Sequence, residues 1–320
     1  MRRPGNSDET VLLKRSGFNR PGPRRPGKWM AVAGVLLVAV LAVLVWFALR
    51  PGRKPEFAIR SATEAQILAD RPVHLTVFRF APDPKVVVLD FPGLEQQGLM
   101  LDRVAALVEK KNLPRDRVLT DAELAAAITA ADATVATYYY GHDYRAADLA
   151  RFFRLAARDH VGLNPEEQRL RRLMRQLGWL SRPGWTAGAI ITIPAVEPAA
   201  QVGPGMRKVI LHHELSHGFY FTSAAYAAYV KHVWQTVLTR AQRQDYRRFL
   251  SSEDYDPAET DLIMNEMQAY TMFTPDPRFF TAAAVGMTQA ALTRLQIAFR
   301  QGMPRGWLRD GAINPGALAR

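Results

Sequence analysis

The chain predicts an α+β fold with helices in the majority. Val73–Phe80 and Val86–Phe91 are β-branched runs flanking the turn Ala81-Pro82-Asp83-Pro84, which is a hairpin pattern. Gly188–Val196 is a lone apolar run of strand length. The rest of the chain after residue 57 is punctuated by helix starts and stops, of which Thr120-Asp121-Ala122-Glu123 is a full capping box.

Taken in order, Leu99–Lys111 reads as a helix, and the capping box opens another that runs to about Ala131. Ala133–Tyr140 reads as a strand from its β-branched and aromatic content. Ala146–His160 and Pro165–Leu177 are helical, the second capped by Asn164 and stopped by Gly178. A Pro/Gly loop, Pro198–Gly205, leads into a strongly apolar helix around residues 209–221. Ala224–Leu250 is largely helical. Asp256-Pro257-Ala258-Glu259 reads as a helix start, with that helix ending near Phe273 before Thr274-Pro275-Asp276-Pro277. A last helix covers about Thr288–Arg300, and no internal repeat is present.

The first 56 residues differ from the rest. The formal charge is +12 over 320 residues, but residues 1–54 hold eleven Lys/Arg and two Asp/Glu, hence +9. The remainder carries only +3, so the basic balance does not point to nucleic-acid binding by the folded part. Residues 1–28, rich in Pro, Gly and Arg, read as a disordered basic cytoplasmic tail. Trp29–Leu49 is uncharged and apolar, and its length matches the roughly 30 Å hydrocarbon core of a bilayer. Trp29 and Trp46 stand near its ends, where interfacial aromatics belong.

This run reads as a single retained membrane helix, in preference to a cleaved signal peptide. More Lys and Arg precede it than follow it, which predicts a cytoplasmic N-terminus and a periplasmic or extracellular body anchored in a bacterial-type inner membrane. Residues 50–56 form a linker. Residues 57–320 are long enough for one domain, divided here into 57–187 and 188–320. The absence of cysteine excludes a thiolate zinc site, a disulfide framework and a cysteine nucleophile.

The chemistry concentrates in His213-Glu214-Leu215-Ser216-His217. On a helix, residues four apart share a face, so the two imidazoles can grip one zinc ion. Glu214, beside the first histidine, is placed to take a proton from a water activated there. The surrounding segment is apolar, and burying two imidazoles and a carboxylate without a partner is costly.

A catalytic zinc site needs a third protein ligand and one open position. Glu266 is the sole charge on a helical face shared by Leu262, Ile263, Ala269, Tyr270 and Phe273, which makes it the expected third ligand. Glu253 and Glu259 are weaker candidates. A donor is also needed for the developing oxyanion, and Tyr220 and Tyr270 are the candidates nearest the motif helices. The run Tyr138-Tyr139-Tyr140-Gly141-His142-Asp143-Tyr144 is a further source of donors. His212 should point away from the metal, and His74, His160 and His232 have no supporting context.

His213-Glu214-x-x-His217 followed by Asn265-Glu266-x-x-Ala269 resembles the gluzincin, or thermolysin-like, branch of the zinc metallopeptidases. The likeness spans roughly residues 188–273 and is carried by the motifs. It implies a zincin-like catalytic domain with one zinc ion, His213, His217 and Glu266 as ligands, and Glu214 as the base. It also implies that the strand at 188–196 borders the cleft, where an extended peptide could add to it. In that group an aspartate that orients a histidine often stands four residues after the ligand glutamate; here that position is Tyr270.

The expected function is membrane-anchored, zinc-dependent hydrolysis of a peptide or protein substrate. The alternatives are a zinc-binding module of zincin origin without peptidase activity, and a zinc amidase acting on cell-wall peptides. Glu214 argues against the first, since holding a metal needs no base.

Overall fold

The computed structural model describes residues 40–41, 55–180 and 188–315. The chain divides into two compact units at Lys54/Pro55, and the second holds the sheet and the helices named next. The expected tail, membrane helix and linker lie outside the described residues, save for helical Val40 and Leu41 and for Pro55 and Glu56 of the linker. Among the described residues no helix is long and apolar enough to cross a membrane.

The fold is mixed α+β and helix-rich, built on a five-stranded mixed sheet. Its strands are β1 (Ile59–Ala62), β2 (Thr76–Phe80), β3 (Val86–Phe91), β4 (Asp143–Arg145) and β5 (Ala189–Pro194), in the spatial order β1-β2-β3-β5-β4. β1 and β2 run parallel, β2 and β3 form the expected antiparallel hairpin, β3 and β5 are parallel, and β4 closes the sheet antiparallel to β5. The hairpin begins three residues later than the sequence suggests, since Val73 is 79% exposed and joins no ladder.

The side-chain period of two decides what covers each face. Val87, Leu89 and Ile190 point to a layer made by the helices α2 (Leu94–Val108), α4 (Ala146–Arg158) and α5 (Pro165–Gln176). Val86, Val88, Ile191 and Ile193 point the other way, onto Leu211 and Leu215 of the helix α6 (Pro204–Thr222). α6 approaches the sheet closely at Gly218, where an added Cβ would stand 3.0 Å from Val86 Cγ1.

Between these elements, α1 (Glu64–Ala69) follows β1 and α3 (Asp121–Ala130) follows α2. After α6 the chain folds into a separate apolar cluster. It includes α7 (Ala224–His232), α8 (Arg240–Ser252), α9 (Thr260–Phe273), α10 (Gln289–Gly302) and the short α11 (Trp307–Gly311).

Several expectations are corrected. Ala133–Tyr140 is not a strand: Thr134 N–H donates to Thr137 Oγ1 and Thr137 N–H to Thr134 O, which ties the segment into a turn. The boundary at 187/188 is not a domain division, because β5 sits inside the sheet between β3 and β4. β5 is thus an interior strand, and β4 occupies the edge beside it.

The helix expected from Asp256 begins at Thr260. Asp256 folds back on itself, accepting from Ala258 N–H and pairing with Arg115, so its carboxylate is spent before the helix starts. The helix expected over Leu99–Lys111 starts earlier, at Leu94. There Leu94 N–H donates to the Glu197 carboxylate, a cap supplied from 103 residues away.

Candidate metal centre

α6 carries His213, Glu214 and His217 into the space between the sheet and α9. The two imidazole rings lie one turn apart, with centroids separated by 4.7 Å. α9 brings Glu266 opposite them, completely buried. His213 Nε2 stands 3.6 Å from Glu266 Oε2, and His217 Nε2 stands 3.6 Å from Glu266 Oε1. These separations are too long for hydrogen bonds. One donor atom from each of the three residues falls within 4.8 Å of the others.

Hydrogen bonding supports metal ligation at His213. The Thr274 hydroxyl donates to Ala269 O and meets His213 Nδ1 at 2.8 Å. With its proton committed to the carbonyl, that hydroxyl accepts from Nδ1–H, so the lone pair of His213 lies on Nε2, toward Glu266. Thr274 therefore fixes the orientation of the His213 ring. Thr274→Val should lower zinc affinity by about 10–100-fold, read by chelator competition, because the buried Nδ1–H loses its acceptor. An unchanged affinity would show that the tautomer is held some other way.

Electrostatics favours the metal-binding form of both rings. Burial pushes the His213 pKa down to about 3 and that of His217 to about 4, where the charge of Glu266 offsets part of the effect. Both imidazoles are therefore neutral at physiological pH, with lone pairs available. Burial also raises the pKa of Glu266, against the opposing pull of His217 and Tyr255. Both Glu266 oxygens, His217 Nε2 and Glu214 Oε2 are buried without a hydrogen-bond partner. Among the described residues no arginine or lysine pairs with Glu266. A dication would satisfy this donor set, and two imidazoles with a carboxylate are the set zinc takes in hydrolases.

Glu214 projects beside the histidines toward the edge of the sheet. A Cβ on Gly141 would overlap its carboxylate, so glycine at that position makes room for it. Burial, then repulsion from Glu266 and Glu109, hold its pKa well above the usual carboxylate range. Glu214 and His213 open on a cleft of about 290 Å³ walled by Tyr139, Tyr255, Tyr270 and Phe279.

The structure treats the two tyrosine candidates differently. Tyr270 lines the cleft, its ring edge-on to His213 with centroids 4.9 Å apart. Tyr220 points elsewhere: its hydroxyl donates to Asp261 Oδ1 at 2.7 Å, and it lines a separate hollow with Lys231 and Trp234. It is therefore not placed as an oxyanion donor. The expectation failed because Tyr220, although on the histidine face of α6, stands two turns beyond His213, where its hydroxyl is taken up by Asp261 of α9.

Among the weaker ligand candidates, Glu253 lines the cleft and Glu259 is exposed before α9 with no capping hydrogen bond, and neither belongs to the metal cluster. His212 points away as expected, bonded to Glu64 at 2.5 Å. His142 lies behind the site, bonded to Tyr144. Sequence reasoning missed Thr274 and gave no separate role to Asp143, whose Oδ2 stands 3.7 Å from His217 Nε2. Thr274 stands in a Pro-rich helix stop that reads as mere punctuation, so no sequence signal marks it.

Comparison with protein-family models, with curated proteins and with solved structures gives no match.

Proposed function

We propose that this chain is a zinc-dependent peptidase with a zincin-like, gluzincin-type site, held to a membrane by residues 29–49. The observation that carries the reading is Glu266: a wholly buried carboxylate with both oxygens unpartnered, 3.6 Å from the Nε2 atoms of two neutral histidines.

His213, His217 and Glu266 would hold the ion, with Thr274 fixing the first ring. A zinc ion there would supply a Lewis acid that polarises a peptide carbonyl and acidifies a water molecule. The protein's own part is proton transfer and positioning. Glu214 accepts the water's proton and returns it to the leaving amine. Its pKa is raised first by burial and then by the charge of Glu266, and a dication beside it would oppose that rise. The Tyr139, Tyr255 and Tyr270 rings wall the cleft in which the peptide would lie, and Tyr270 remains the proposed oxyanion donor.

Incubation of the purified full chain with a peptide library tests the reading. Cleavage that a chelator abolishes and zinc restores is expected; no cleavage by zinc-loaded protein would leave the zinc-binding module as the better description. Release of products only from cell-wall peptides would favour the amidase.

The membrane part of the proposal rests on the uncharged run Trp29–Leu49 and the excess of Lys and Arg before it. Reporters fused to the C-terminus should be active outside the cytoplasm. Activity only inside would contradict the topology.

A further inference from the structure

We infer that the tyrosine cleft receives a lysine or arginine side chain of the peptide, with Glu253 as its counter-charge. The inference rests on the peptidase reading above and names the substrate class of that same site. The cleft is walled by Tyr138, Tyr139, Tyr140, Tyr255, Tyr270 and Phe279, and its two carboxylates are Glu214 and Glu253. Among the described residues no lysine or arginine lines it. Glu214 is committed to the water, which leaves Glu253 without a task in the chemistry.

Helix stability does not account for Glu253. It caps the C-terminal end of α8, where the helix dipole repels an acid. Only its backbone N–H serves the cap, donating toward Phe249 O and Ser251 O. Among the described residues its carboxylate has no hydrogen-bond or ion-pair partner. Lys110 and Lys111 bind the neighbouring Asp254 instead, at 3.3 and 3.5 Å. The segment is held in place, since Lys111 N–H donates to Asp254 O at 3.0 Å and Asp256 N–H to Glu109 O at 2.9 Å.

Aromatic rings beside a carboxylate suit a cation. Ring faces carry negative charge, and an ammonium or guanidinium over them gains more when it leaves water. The molecule already uses two of these rings in that way: the Lys110 ammonium stands 3.9 and 4.0 Å from the ring centres of Tyr138 and Tyr139. Lys110 is buried, paired with Asp254 and absent from the cleft lining, so it does not serve as the partner of Glu253. Partial burial raises the Glu253 pKa and the charge of Lys110 lowers it; a cation in the cleft would add to the second effect.

Other occupants fit less well. A neutral aromatic or aliphatic side chain would fill the space between the rings but cover Glu253 without giving it a partner. An acidic side chain would meet two carboxylates and no counter-charge. The volume, about 290 Å³, is that of a small ligand pocket, suited to one long side chain.

The test starts from a peptide library cut by the zinc-loaded full chain. A sequence that is cut is then made with lysine beside the cleaved bond and with norleucine there, which is apolar and uncharged. kcat/KM should favour lysine by about tenfold or more, the worth of one hydrogen bond to a charged group. The preference should lie in KM and shrink as salt is raised. In Glu253→Gln the lysine/norleucine ratio should fall toward one, and in Glu253→Lys below it. A purely structural Glu253 would slow both peptides alike and leave the ratio unchanged. The parent's ratio and its salt dependence decide the matter even if the variants fail to fold. Cleavage by the parent without a preference for lysine or arginine, or a preference that survives in both variants, overturns the inference alone. A library in which nothing is cut overturns the peptidase reading and this inference with it.

Discussion

Glu214→Gln should retain its zinc and lose peptide hydrolysis by about two to four orders of magnitude, the usual worth of a positioned general base. The substitution keeps the side chain's length and its place against Gly141 but removes the ability to take a proton. Glu214 belongs to neither of the pairings that join His213 and His217 to Glu266, so metal affinity should stay within a few-fold of the parent. The fold should hold as well, because Glu214 Oε2 makes no hydrogen bond to lose. Measurement requires zinc content, a melting curve and initial rates on the same preparation. A variant that cleaves as fast as the parent would remove Glu214 from the chemistry.

Glu266→Ala carries the second large effect. Removing this carboxylate takes away the only acid among the described residues that faces both histidine Nε2 atoms. Zinc affinity should fall by more than the 10–100-fold that loss of an outer partner typically costs, that is by about 100-fold or more. The metal-free protein should not suffer in proportion, since an unpartnered buried carboxylate is itself expensive. Its melting temperature without metal should therefore be preserved or raised, while the rise on adding zinc should shrink. Glu253→Ala and Glu259→Ala serve as controls with little change in zinc affinity, because neither is in the cluster. Glu259→Ala should also cost little stability, as its side chain makes no capping bond. A Glu266→Ala protein that unfolds yet binds zinc as before would mean that the residue is structural.

Local signals in the chain carried well into the structure. The capping box at Thr120 formed, and the cap at Asn164 formed as a full box with Glu167, because their partners lie three residues away. The hairpin formed because its turn and its β-branched flanks are contiguous. The pairing of His213 with His217 follows from helix geometry alone, and Glu266 was legible as a lone charge in an apolar stripe. What could not be read depends on distant partners. The cap from Glu197 starts α2 five residues early, and Thr274 becomes a histidine's partner only when α9 packs on α6. β4, of three residues, is too short to announce itself, although it delivers Asp143 and follows closely on Gly141, the glycine that clears Glu214. Tyr220 failed for the opposite reason: its spacing looked apt, but its hydroxyl found Asp261 on another helix.

The central claim is that the two histidines and Glu266 form a metal site, and metal content tests it most directly. The full chain, purified without added metal and analysed for its elements, should contain about one zinc per chain, or take up one on titration, with His213→Ala and His217→Ala both losing it. Protein that contains no zinc and takes up none on titration would contradict the account at its base.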